Sequence, residues 1–204
     1  MRLAVLKGSK FPWPTDEHGV VFPVVFVQCG TEEEMGGLSK RNDGQAEVVQ
    51  KVIKFLTTRD VAEKSNNDPK KKGKAVDRLL KEVDSSSGLK KEKEERLEIT
   101  ILTPYTKQVS ALKSQVSKDV QVFTIDSFQG RESDVIIFST VRCNVERDIG
   151  FVEDERRLNV MWTRAKLALI IVGDRATLTE RSGLWERALK SCICVTLPAD
   201  SEAN

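Results

Sequence analysis

An α/β fold, a parallel sheet with helices on both faces, is predicted by three observations. The runs "FPVVFVQCG", "DVIIFSTV" and "LALIIVGD" are built around apolar stretches without strict alternation, as strands buried on both faces require. Segments with apolar residues at helical spacing lie between such runs, so strand and helix alternate along the chain. At 204 residues the chain is long enough for one good core, and 1–204 is read as a single domain.

Each element follows from its own residues. The run at 22–30 ends in glycine and reads as a buried strand. "NDGQAEVVQKVIKFL" then places Ala46, Val49, Ile53 and Leu56 three and four residues apart behind Asn42 or Asp43 as cap, which makes it a helix. Over 57–95 the pattern collapses into "KSNNDPKKKGK", "DSSSG" and "KKEKEE", with only "AVDRLLKEV" capable of a short helix. A charged, solvated and partly disordered insertion is expected there. Order resumes with "LEITILTPY" as a strand, "TKQVSALKSQV" as a helix and "VQVFTID" as a strand. The strand "DVIIFSTV", the helix "DERRLNVMWTRA", the strand "LALIIVGD", the helix "LWERALKSC" and a last strand in "ICVTLP" complete the order.

Composition excludes several classes. The 33 basic and 31 acidic residues give a formal charge of +2, so bulk charge does not argue for a nucleic-acid partner and placement must carry any such case. Cys29, Cys143, Cys192 and Cys194 show no C-x-x-C spacing and His18 stands alone, which leaves no zinc ligand set; reduced, partly buried thiols are expected. The N-terminal "MRLAVLKGSKFPWP" lacks an apolar core for a signal peptide, and no run of ~20 apolar residues occurs. A soluble cytoplasmic or nuclear protein without a membrane partner is expected. Neither G-x-x-x-x-G-K-[ST] nor G-x-G-x-x-G after a strand is present, so the common phosphate cradles are missing from the chain.

What remains informative is placement. The polar elbow 126–132, with Asp126, Gln129, Gly130, Arg131 and Glu132, follows a predicted strand, and "TPY" and "GD" close two others. In open α/β sheets ligands bind outside the carboxyl ends of the strands, so this edge is expected to be functional. In "DERRLNVMWTRAK", Arg157 and Arg164 are seven residues apart and so share a helix face, with Leu158, Trp162 and Ala165 as an adjacent stripe against the sheet. The arginines either pair with Glu153 and Glu155 or reach an anionic ligand, for which the planar guanidinium is suited.

"TIDSFQGRESDVIIFSTVRCN" and "IGFVEDERRLNVMWTRAKLALIIVGD" resemble motifs V and VI of superfamily-one helicases, most closely the up-frameshift type of nonsense-mediated mRNA decay. "ITILTPYTKQ" resembles the preceding motif, and "FPWP", "VVFVQCGTEEE" and "NDGQAEVV" resemble the start of that family's second RecA-like domain. The resemblance implies a RecA-like, P-loop NTPase helicase C-terminal domain: one half of a 5'-3' motor that closes on ATP and Mg2+ against a first, P-loop-bearing domain. Single-stranded RNA or DNA, that first RecA-like domain and mRNA-decay factors are the implied partners. Arg164 matches the arginine finger, an element worth roughly 10³ to 10⁵ in rate. Gly130 and Glu132 match the ATP side of motif V, and Gln129 lies between ATP and strand. Thr124, Asp126, Ser127, Thr103, Tyr105 and Gln108 match strand-contacting positions, which hold phosphates without reading sequence. One departure is Met161 with Trp162, where the family has small or aliphatic residues. An indole there either fills the core or shifts the helix and misplaces Arg164, and the second case leaves a non-catalytic binding relic as the alternative.

Overall fold

A computed structural model describes residues 4–34, 37–58 and 97–198. Six strands form one sheet in the order β3-β2-β4-β5-β1-β6, and every pairing is parallel. They are β1 (Val24–Gln28), β2 (Ile99–Thr103), β3 (Gln121–Thr124), β4 (Ser133–Ser139), β5 (Ala165–Gly173) and β6 (Ile193–Val195). The helices are α1 (Ala4–Lys7), α2 (Asp43–Thr57), α3 (Thr106–Gln115), α4 (Glu155–Thr163), α5 (Arg175–Thr179) and α6 (Gly183–Lys190), with 3-10 turns at Asp126–Phe128 and Gly150–Glu153. The expected insertion at 57–95 lies outside the described residues apart from Thr57, which closes α2, and Thr58, its C-cap.

Strand residues alternate between two apolar layers. Val25, Val27, Ile101, Ile137 and Ile170 pack with Ala46, Val49, Val52, Phe55 and Leu56 of α2 and Leu112 of α3. Phe26, Leu102, Ile136, Phe138 and Ile171 face Leu158 and Met161 of α4 and Trp185 and Leu189 of α6. The central strands are thus covered on both faces, and in β2 even Thr100 and Thr103 are buried. The helix cap is Asn42, whose side chain accepts from Gln45 N–H. Ile53, expected in the buried stripe, is only partly buried, and Val52 with Phe55 takes the central positions. Cys29, Cys143 and Cys192 are buried free thiols and Cys194 is exposed; burial pushes the Cys143 and Cys192 thiols up to about 11.

Candidate nucleotide and strand site

The elbow does not stay at the carboxyl edge. Thr124 ends β3 beside Thr103, the last residue of β2. From there the chain descends the α4 face of the sheet, and Ser133 enters β4 at the opposite edge, paired with Ala165 at the start of β5. Ser133 N–H donates to the Arg164 carbonyl at 3.1 Å. The predicted site residues therefore fall into two groups. Thr103, Tyr105, Thr124, Asp126 and Ser127 belong to the carboxyl edge, and Glu132 and Arg164 to the amino edge, with Gln129 and Gly130 on the path between. The expectation of one functional edge is corrected by register: β4 restarts at the bottom of the sheet, as a parallel strand must.

At the upper end Thr124 and Ser127 bond each other. The Thr124 hydroxyl donates to Ser127 Oγ at 2.9 Å, and Ser127 Oγ donates to the Thr124 carbonyl at 3.0 Å, both at exposed positions. Asp126 is exposed and takes a bidentate pair from Arg157, whose Nε and Nη2 donate to Oδ1 and Oδ2 at 3.0 and 3.1 Å. That pair holds the Arg157 guanidinium still further above its ordinary range. Arg157 thus chooses Asp126 on the elbow over Glu153 and Glu155 on its own helix, a choice sequence spacing does not reveal. Phe128 is buried in the lower layer of the sheet, and Arg131 lies over the Phe123 ring at 5.0 Å. These contacts anchor both flanks of the loop.

At the lower end Gly130 has φ +79°, with nothing within 4 Å of where a Cβ would stand. The left-handed backbone, not crowding, is what asks for glycine here. Glu132 and Gln129 are exposed and make no side-chain bond among the described residues. Arg164 follows α4 directly and donates only to the neighbouring Thr163 hydroxyl, at 3.3 and 3.1 Å. No carboxylate pairs with it among the described residues. Met161 is fully buried and Trp162 packs beside it as a partly buried wall of the same layer. Helix α4 accommodates both and ends at Thr163, next to the arginine.

Three predicted strand-contacting residues are enclosed. Gln108 is fully buried; its amide donates to the Asn42 carbonyl and Ser139 Oγ, and its oxygen accepts from Asn42 N–H. Those bonds use up its polar atoms, so any influence of Gln108 on a strand acts through the α2 cap. Thr103 is buried with an unpartnered hydroxyl. Tyr105 is buried, and burial raises its hydroxyl above the ordinary value despite Arg142 beside it.

Residues without an assigned role in the sequence build the floor of this edge. Arg142 is buried between Glu33 at 3.3 Å and Asp148 at 2.7 Å. Glu33 also accepts from Cys143 N–H at 2.7 Å and Asn144 Nδ2 at 3.2 Å, so the buried charges are paired and bonded, as low dielectric demands. Val141 has φ +69°, a strained value for a β-branched residue. Gln45 Oε1 accepts from its N–H and Asn42 Nδ2 donates to its carbonyl, so two buried amides hold the bend. "VRCN" and "TEEE" are visible in the sequence, but nothing local singles out Glu33 from its neighbours.

Residues 6–176 match the family described as AAA domain. Regulator of nonsense transcripts 1 from Dictyostelium discoideum is 34% identical over 190 residues, covering 87% of this chain and 11% of that protein. The chain belongs to the up-frameshift type of superfamily-one helicase domains. A Drosophila melanogaster homolog of Regulator of nonsense transcripts 1 is 35% identical over 190 residues, 88% of this chain and 13% of its own length. ATP-dependent helicase NAM7 of Saccharomyces cerevisiae is 40% identical over 111 residues, 47% of this chain and 11% of its length. The helicase domain described here thus spans 11% to 13% of the length of these relatives. Its all-parallel sheet is the RecA-like arrangement the resemblance implied. No helix among the described residues is long and apolar enough to cross a membrane.

The fit of the implied groups differs. An uncommitted guanidinium beside an exposed carboxylate and an open glycine suits one side of a nucleoside triphosphate. For magnesium, no cluster of three or more His, Cys, Asp or Glu able to hold a metal is present among the described residues.

Proposed function

We propose that this chain is the second motor domain of an ATP-dependent helicase, supplying the arginine finger and part of the single-strand surface. One observation carries the reading: a single loop, 124–132, joins an edge bearing the Thr124 and Ser127 hydroxyls to an edge where Arg164 has no carboxylate partner among the described residues, and the Asp126 pair with Arg157 ties that loop to the helix that Arg164 caps. Bound ATP supplies the γ-phosphoryl group whose transfer powers the cycle. Arg164 donates toward the charge that develops there, Gly130 lets backbone approach closely, and Glu132 accepts from neighbouring donors. Thr124 and Ser127 bind strand phosphates without reading bases. Helix α4 spans roughly 13 Å, so a shift at Arg164 on cleft closure moves Asp126 and the strand-facing turn with it.

The first RecA-like domain, bearing the P-loop and the magnesium ligands, is the necessary partner, and mRNA-decay factors fit the names of the relatives. The work belongs to the cytoplasm or nucleus, where such strands are met. The test is ATP turnover by the full-length protein with and without single-stranded RNA and DNA. Turnover stimulated by a strand is expected. Strand binding without turnover favours the non-catalytic relic, and neither activity rejects the motor reading.

A further inference from the structure

Phe151 is a large aromatic that the core does not claim. It sits in the turn Gly150–Glu153 with half its surface in solvent, 51% exposed, while its neighbours Ile149 and Val152 are buried. Its ring is nevertheless held. Tyr105, itself buried, meets it at 5.7 Å with a 52° tilt, and the Arg157 guanidinium lies over it at 5.4 Å. Arg157 in turn is locked by both oxygens of Asp126. Gly150 brings the ring this close: it has φ +52°, and a Cβ there would stand 3.0 Å from Tyr105 Oη and 3.2 Å from Arg142 Nη1.

Three carboxylates near the ring are committed, while Glu153 and Glu155 are exposed. Asp126 is spent on Arg157, Asp148 on Arg142 and Gly150 N–H, and Asp154 on the first amides of α4. The guanidinium over one face is attracted by the ring quadrupole and helps fix the ring in place. The hydroxyls of half-buried Thr124 and exposed Ser127 flank Asp126 in the chain. The hydroxyls suit a sugar-phosphate backbone and the exposed ring its bases.

We propose that Phe151, fixed by Tyr105, Gly150 and Arg157, is a stacking platform for one nucleobase of a bound single strand. The platform rests on the motor-domain reading and adds a subsite to it. Stacking on a phenyl ring is indifferent to base identity and to the sugar, so it suits a motor that must pass any sequence.

The experiment measures binding of single-stranded RNA and DNA homopolymers to the full-length protein. Phe151→Ala is expected to weaken both by about tenfold, the loss typical of one stacked base. Phe151→Leu, which keeps apolar volume and protects folding, is expected to match it, and Phe151→Trp to bind like the parent with indole fluorescence quenched by the strand. On a strand made abasic throughout, parent and Phe151→Ala are expected to bind equally. Unchanged affinity in the Ala and Leu variants overturns the platform while leaving the motor reading intact. An equal loss on the abasic strand also overturns it, since the ring then serves the scaffold or a protein partner. A parent protein that binds neither RNA nor DNA overturns the motor reading and the platform together.

Discussion

Arg157 lies on α4 and Arg164 caps its end, yet their surroundings assign them opposite duties. Arg157 has a bidentate carboxylate and an aromatic face, whereas Arg164 has only a neighbouring hydroxyl among the described residues. Removing Arg164 leaves no buried group unsatisfied. Arg164→Ala in the full-length protein is therefore expected to lower ATP turnover by ~10³ while strand affinity and thermal midpoint hold. Unchanged turnover rejects the finger, and a fallen midpoint with parallel loss of strand binding makes the residue structural. Two carboxylates set a pH limit on the fold. The Gly150 amide, then Arg142, hold Asp148 below its ordinary value of 3.8. Burial raises Asp174, but bonds from Thr177, Gln28 and Arg147 outweigh it and leave it lowered from 3.8. A depressed folded pKa means stability fully present above the unfolded value and lost as pH falls through the folded one. The thermal midpoint is expected to be level from neutrality to about pH 5 and to fall below about pH 4, and Asp148→Asn to flatten part of that fall in a series of melting curves.

Among the elements, the elbow 124–132 is the one whose path matters most. Its length suffices to descend the sheet because Phe128 is pinned in the lower layer and Gly130 reverses the backbone at φ +79°. Gly130→Ala meets no neighbour and is expected to cost about 1 kcal/mol from the left-handed conformation alone, read as a shift in urea midpoint. A cost several times larger points to a contact the open geometry does not contain. Helix α2 shows how an element's start can be written locally and used globally. Asn42 caps it as its residue type suggests, but the same side chain also binds the Thr31 and Val141 carbonyls. The cap therefore also braces the strained bend after β4, and Gln108 completes it from α3.

For the whole molecule, the lack of a phosphate cradle predicts that the 204-residue chain folds but does not turn over ATP by itself. Steady phosphate release by a sample free of contaminating ATPase contradicts this. Strand positions, helix positions, the parallel sheet and the family were legible in the chain, because continuous apolar runs, helical spacing and two long motif blocks are local signals. Short elements were not: α5 and the 3-10 turns carry too few residues for a period to show. Gln108 was matched to a strand-contacting position and is an internal brace, since a lone polar residue announces nothing about its burial. Phe151 gave no signal either, because an aromatic beside buried Ile149 and Val152 reads as core. Sequence alone determined which residues are chemically able to meet phosphate, base or solvent. Only tertiary structure decided which of them stand together. Parallel register sends the elbow from one edge of the sheet to the other, and that crossing puts Asp126 on Arg157 and leaves Arg164 without a carboxylate among the described residues, an outcome set by contacts between residues far apart in the chain.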